Sequence, residues 1–447
     1  MLAVTAFGTL MTLVTVSLDT MAEDLGTGRA TITWTITGLM LTMALLTPLA
    51  GTLGDIHGHR KMLLGGLLGG AVATILCGLA WDAPSLIAFR VLFGIFGAAV
   101  NPNAMSLMMH AYGPERRSTA VGWFTFATTG APTLGLIVGG PLIDWAGWRS
   151  VFFLFGAFSA LACVVGFVTV RAIPRAEGRP LDLAGAFTLG FGVLGVLIAI
   201  TSFATAAQDG GLTGALTDPA TLGSTAFGIA FLIWFVSVER RVPVPMLKLD
   251  YFRRRNFSLP LLSGAAIQFA YMGGFVITPS LLQNRYGWSV GASALLMMPR
   301  PGVFSLASPL GGWLPGRVGY RWPVVAGALS MIVSMCVFAI AALRDDGIGI
   351  AMIVAALCLT GLAAGISQPA IGALAVDSVD EQDMGVANGM NQQTLFVGIV
   401  AGIQIMSVVL GDVVEPSRYA GTFLIGLGAA VVGLIAALMI QSLRPRR

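Results

Sequence analysis

The chain has 447 residues, of which 56% are hydrophobic and only 10% charged, with a formal net charge of +4. Soluble proteins carry about 25% charged residues, which excludes a water-facing surface of this size. The modest basic excess therefore belongs to membrane topology and anionic headgroups rather than to a nucleic-acid surface.

Length alone suggests about three soluble domains, but apolar stretches recur at the roughly 20 residues a helix needs to cross hydrocarbon. Only helices or closed barrels satisfy their backbone there, and continuous apolar runs lack the alternation of barrel strands. An all-α integral membrane protein with fourteen spans is expected. The spans lie at 2–19, 32–53, 62–81, 86–110, 118–143, 150–171, 183–204, 222–239, 257–282, 289–313, 322–343, 348–376, 385–411 and 418–442. On this reading 18 of the 25 Lys+Arg fall on one side, five on the other, and Arg90 and Arg300 inside spans. The positive-inside rule makes the basic side cytoplasmic, with both termini on it.

The first span begins almost at Met1, without the basic region of a cleavable signal. Its sequence TLMTLVTVSLDTMAEDLG (9–26) carries an acid at Asp19, near the outer end. After the second span comes GTLGDIHGHRK (51–61), in which glycines permit a tight turn. Asp55 can pair there with Arg60, or with Arg116 and Arg117 of the next basic loop, and so latch one state of the protein. A basic loop that merely obeys topology is the plainer reading.

In the fourth span Arg90, Gly94, Gly97 and Asn101 follow i, i+4, i+7, i+11 spacing and form one stripe. A charge inside a span marks a functional site; the alternative is an arginine snorkelling to the outer headgroups. The fifth span contributes Gly130, Pro132, Gly135, Gly139, Gly140 and Pro141, which allow close approach and bending. Two further spans form an insert between basic stretches 171–179 and 239–255. In the tenth span, Arg300 sits between Pro299 and Pro301, which free backbone groups and bend the helix. Gly361/Gly365 and Gly398/Gly402 are expected to be packing seams, and Cys77, Cys163, Cys336 and Cys358 small apolar fillers.

The segment 312–322, GWLPGRVGYRW, repeats the earlier loop: Gly312, Leu314, Gly319 and Arg321 match Gly51, Leu53, Gly58 and Arg60 at an offset of 261. The chain thus parses as six helices (1–175), a two-helix insert with linkers (176–256) and six more helices (257–447).

These motifs resemble those of the major facilitator superfamily, specifically its fourteen-helix drug:proton antiporter branch, the QacA/EmrB type. GTLGDIHGHRK is similar to the loop motif, RVLFGIFGAAVNP (90–102) to the fourth-helix motif, and TTGAPTLGLIVGGPLIDWAGWRSVFF (128–153) to the fifth-helix antiporter motif followed by W-R-x-x-F. LLMMPRPG (295–302) and PLGGWLPGRVGYR (309–321) resemble second-half counterparts. The resemblance implies the major facilitator fold and export of small amphiphilic molecules by alternating access, energised by a proton gradient without a cofactor.

Two departures stand out. Leu10 occupies the position of the family's first-helix Asp, and Gly135-Leu136 that of its fifth-helix Gly-Pro. No carboxylate is expected at mid-membrane, so coupling falls to Asp19, to Asp55 with its arginines, or to Arg90 beside a proton path. The expected cavity residues are Trp34, Asn101, Gln268, Tyr271, Arg300, Gln368, Asn391 and Gln392, with Asn103, Trp123 and Phe124 adding polar and stacking surface. Cations without a central acid favour neutral or anionic amphiphiles. The bilayer is the other expected partner, the plasma (inner) membrane the location, and a monomer the state. An uncoupled facilitator or importer and a non-transporting receptor are the alternatives. A membrane enzyme is disfavoured, since His57, His59 and His110 sit at or near cytoplasmic ends and not in a catalytic cluster, and no catalytic motif is present.

Overall fold

The structure is a computed structural model that describes residues 10, 14–112, 128, 135–171, 183–242, 249–379, 384–411 and 415–441. Every secondary-structure element among them is helical. Among the described residues, eleven helices are long and apolar enough to cross a membrane, and Gly135–Ala146 and Phe187–Phe203 are shorter apolar helices.

Helix ends follow from local chemistry. The helices α1 (Leu18–Asp24), α2 (Arg29–His57) and α3 (His59–Gly78) open the chain. Between α2 and α3 stands Gly58 with φ of 102°, a left-handed conformation that a β-carbon resists. The turn recurs between α12 (Pro299–Val318) and α13 (Arg321–Ala341), where Gly319 has φ of 80°. The repeat seen in sequence is therefore a repeated turn.

The fourth helix of each half also starts alike. Asp82 accepts a hydrogen bond from Ser85 N at 2.8 Å to cap α4 (Ala83–Gly97). Asp346 accepts from Gly349 N at 3.0 Å to cap α14 (Gly347–Asp377). Hydrogen bonds from Arg344 and then Gly349 bring the Asp346 carboxyl down to about 2.

Prolines set the interruptions. Pro102 offers no N–H to Ala98, and the fourth span breaks there into α4 and α5 (Val100–Tyr112). The fifth span shows α6 (Gly135–Ala146), followed by α7 (Trp148–Thr169). The insert is α8 (Leu183–Thr217) and α9 (Pro219–Glu239). Here α8 outruns the expected end near 204, because the next cap followed by a proline is Asp218-Pro219. In α10 (Arg255–Ser280), Pro279 precedes a π-turn at Leu281–Arg285. The tenth span is α11 (Val290–Leu296) and α12, parted just before Pro299 as the prolines require. The last helices are α15 (Met384–Leu410) and α16 (Pro416–Leu438).

Two compact units result. The first comprises Met1–Leu181 together with Leu282–Gly302. Within it, glycines seat neighbouring helices: a β-carbon at Gly66 would lie 2.8 Å from Phe96 O. The second comprises Asp182–Leu281 and Val303–Arg447. There, β-carbons at Gly398 and Gly402 would collide with Ala265 O and Phe269 O of α10, so this glycine pair is a packing seam. The insert joins the second unit through Gln404 Nε2, which donates to Thr201 Oγ1 at 2.7 Å, and through an apolar cluster of Phe235, Tyr251, Phe257 and Met390.

Candidate functional site

The Gly58 turn is tied down through His59 and Arg60. His59 Nδ1 lies 2.8 Å from Asn103 Oδ1, and Asn103 Nδ2 donates to Ala50 O at 3.1 Å and Ala99 O at 2.7 Å. Arg60 donates to Val170 O and Phe167 O, both at 2.7 Å, and so closes the C-terminus of α7, where a cation suits the helix dipole. The side chain of Asp55, and residues Arg116, Arg117, Trp123, Phe124, Gly130 and Pro132, lie outside the described residues. Gly51 and Leu53 are half-buried, and a β-carbon at Gly51 would lie 3.6 Å from Pro102 Cβ. In the second unit Gly312 is open, and Arg321 lies over the Trp322 ring at 5.7 Å.

Arg90 is wholly buried, so it does not snorkel. Its Nε donates to Thr35 O at 3.1 Å, and its guanidinium lies 5.6 Å from the centre of the Phe93 ring. The glycine below it explains the setting: a β-carbon at Gly94 would sit 3.0 Å from Leu39 Cδ1 and Thr42 Cβ. The Arg90 stripe thus faces α2. Asn101 ends it with an Oδ1 that is shut from solvent and meets no partner among the described residues. Trp34 is half-buried on α2.

The segment Leu282–Gly302 is pinned inside the first unit at several points. Asp19 forms an ion pair with buried Arg29 and accepts a hydrogen bond from Asn284 Nδ2 at 3.0 Å. Gln283 Nε2 donates to Val16 O at 2.8 Å. Asp144 Oδ2 accepts from Gly291 N at 2.9 Å. Gly140 makes room for this contact, since a β-carbon there would lie 2.6 Å from Ala294 Cβ and 3.0 Å from Gly291 Cα. Gly135 and Gly139 are buried on the same helix. Arg300 is buried at the start of α12, in this same segment. Sequence reasoning missed Arg29, Asn284 and Asp144; a carboxylate four residues past a glycine pair was the available signal for the last. The W-R pair is also explained: Trp148 Nε1 donates to Asp24 Oδ2 at 3.1 Å, and Arg149 pairs with the same carboxylate. Hydrogen bonds from Arg149 and Trp148 hold the Asp24 carboxyl below its ordinary value.

In the second unit three expected cavity amides share a feature. Gln268 Oε1, Gln368 Nε2 and Asn391 Oδ1 are each shut from solvent with no hydrogen-bond partner among the described residues. A buried polar atom left unpaired costs about 1–3 kcal/mol, so three of them call for a partner. Tyr271 stands close by on α10, its ring centre 6.3 Å from that of Phe304. Gln392 is exposed, and Gln393 is the buried neighbour.

Comparisons with known proteins agree with this architecture. The sequence profile described as the Major Facilitator Superfamily matches residues 1–403 and 262–447. The chain is 29% identical to the Tetracenomycin C resistance and export protein of Streptomyces glaucescens, over 92% of this chain and 75% of that protein. It is 27% identical to the Multidrug resistance protein Stp of Mycobacterium tuberculosis, over 89% of this chain and 72% of that protein. Multidrug transporter protein MdtP of Bacillus subtilis gives 27% over 89% and 72%. Among solved structures, a peptide transporter POT mutant aligns with a TM-score of 0.73 at 17% identity, covering 98% of this chain and 93% of that one. A bacterial homologue of the human lysosomal transporter Spinster aligns at 0.66, also with 17% identity, covering 98% and 94%. At such identities the likeness shows the fold.

Proposed function

Because the chain belongs to the Major Facilitator Superfamily, a family of transporters rather than enzymes, we propose that it exports small amphiphilic molecules in exchange for protons. The observation that carries the reading is similarity over about nine-tenths of the chain to proteins named for multidrug resistance or antibiotic export. In this reading the chain is a monomer of the fourteen-helix QacA/EmrB type. Its bundles are 1–175 and 257–447, with the insert at 176–256, and its termini are cytoplasmic in the plasma membrane. Substrate binding and proton binding alternate as the site is exposed first to one side and then to the other.

Asp19 is the proposed coupling residue. It holds both Arg29 and Asn284, so a proton on its carboxylate removes the charge that draws them in. That loosens the pinned segment Leu282–Gly302, and such a change has the differential energy that a two-state transition requires. Neutral or anionic substrates are favoured, because no carboxylate lies along the interior of α10, α14 or α15 to attract a cation.

Flux in proteoliposomes under an imposed pH gradient tests the reading. Flux that follows the gradient and loses that dependence in Asp19→Asn is expected. Gradient-blind flux in the native protein marks a facilitator, and no flux a receptor.

A further inference from the structure

The helix register in the second unit brings the orphaned amides to one level. Ser378 Oγ donates to Asn256 O at 2.9 Å, so the end of α14 faces the start of α10. Eight residues along α10, a β-carbon at Gly264 would meet Ile371 of α14 at 3.4 Å. The two helices therefore run antiparallel, each step along one matched by about a step back along the other. One turn beyond Gly264 is Gln268, and one turn before Ile371 is Gln368. Both spacings, i+4 and i−3, keep the amides on the faces that meet.

A turn further on, Tyr271 falls level with Gly365. The backbone of Gly365 is where α12 arrives, since a β-carbon there would lie 2.8 Å from Phe304 O. The 6.3 Å contact of the Tyr271 and Phe304 rings confirms that level independently. Pro369 offers no N–H to Gly365 O, and this carbonyl packs on α12 instead, where a β-carbon at Gly311 would lie 2.5 Å from it. Below the amides, Asn391 Nδ2 stands 3.6 Å from the place of a Gly372 β-carbon, with its Oδ1 orphaned.

An amide carries a donor and an acceptor on one planar fork. Two such forks at one level, each with a buried unpartnered atom, suit a ligand that presents both a donor and an acceptor. Two rings on the next level suit an aromatic body. No carboxylate lies along the interior of α10, α12, α14 or α15, so a cation placed here would be buried without a counter-charge.

We propose that Gln268 and Gln368, with Tyr271 and Phe304, form a specificity subsite for a planar aromatic compound that bears both hydroxyl and carbonyl groups and no positive charge. The proposal rests on the export reading and narrows its substrate class from amphiphiles in general to planar aromatic compounds with both groups. A ligand carbonyl accepts from one amide and a ligand hydroxyl donates to the other, while the ring packs on Tyr271 and Phe304. Asn391 extends the polar track beyond the amides.

Equilibrium binding to the purified full chain tests this, with tryptophan quenching as the readout. The probes are 2,6-dihydroxyanthraquinone at about pH 6, where a phenol of ordinary pKa is uncharged, unsubstituted anthracene, anthraquinone-2-sulfonate and ethidium. The dihydroxy compound is expected to bind tightest. Gln268→Leu and Gln368→Leu should each weaken it about tenfold while leaving anthracene unchanged, which a general packing defect would not do. Gln268→Met and Gln368→Met, closer to the native shape, serve where a leucine variant unfolds.

Tighter binding of anthracene or of ethidium overturns the proposal, as does unchanged dihydroxyanthraquinone affinity in all four variants. Proteoliposome flux of the same probe separates this from the export reading. Flux with variant-insensitive binding removes the subsite and leaves export standing. Amide-dependent binding without flux does the reverse.

Discussion

At the scale of single residues, the Gly58 turn and the Asp24 cluster show how little room the fold leaves. A β-carbon at Gly54 would collide with Asn103 Oδ1 and lie 2.6 Å from His59 Nδ1. Asn103 cannot swing aside, because its amide nitrogen is spent on Ala50 O and Ala99 O. Gly54→Ala should therefore cost about 1–3 kcal/mol, read as a lowered Tm in detergent; an unchanged Tm would show that the turn has slack. Asp24 supplies a pH dependence. Its carboxyl is held below the ordinary value by Arg149 and Trp148. The pairing thus contributes fully above the unfolded value of about 3.9 and fades as pH falls through the lower folded value. The Tm gap between native protein and Asp24→Asn should be present at neutral pH and close in acid. A gap that persists below both values would locate the effect in packing rather than in charge.

At the scale of elements, the segment Leu282–Gly302 depends on a few polar pins and one glycine seat. Asp144 accepts the Gly291 N–H that no residue of α11 itself satisfies at that position. Asp144→Ala should raise amide hydrogen exchange in 282–296 about tenfold and leave α13 and α14 unchanged; uniform exchange across both units would indicate global destabilisation instead. Much of this element layer was legible in the sequence. Apolar runs gave the helices, the prolines around Arg300 gave the interruption of the tenth span, and the offset of 261 predicted that Gly58 and Gly319 would occupy equivalent turns. What was not legible is which polar groups meet. Asp55 was expected to pair with Arg60 or with Arg116 and Arg117; that carboxylate lies outside the described residues, and Arg60 closes the end of α7, 107–110 residues away. Arg90 was read as suiting a wet cavity or close packing beside a proton path, and it donates to a backbone carbonyl of α2 and lies beside the Phe93 ring. A one-dimensional stripe tells which residues share a face, but not which helix that face meets. The end of α8 was missed for a different reason: a polar, glycine-bearing stretch looks like a loop, although nothing in it stops a helix before Asp218-Pro219.

At the scale of the whole molecule, the expected topology turns on the insert. With 35 residues, α8 extends about 50 Å at 1.5 Å per residue, against a hydrocarbon core of about 30 Å. It must tilt or project beyond the bilayer at one end. The charge pattern says which end: basic residues cluster around 171–179 and 239–255, and the α8–α9 junction at Thr217–Pro219 carries none. The junction should therefore face outward and the α9 end inward. Thr217→Cys and Arg240→Cys, both at exposed positions, introduced after replacing the four native cysteines, test this with a membrane-impermeant maleimide on intact cells. Thr217→Cys is expected to label at once, and Arg240→Cys only after permeabilisation. Labelling of both from one side would mean that α8 and α9 do not each cross the membrane. The chain would then carry twelve spans, and the inference that both bundles place their Gly58 and Gly319 turns in the cytoplasm would have to rest on Arg60, Lys61, Arg317 and Arg321 alone.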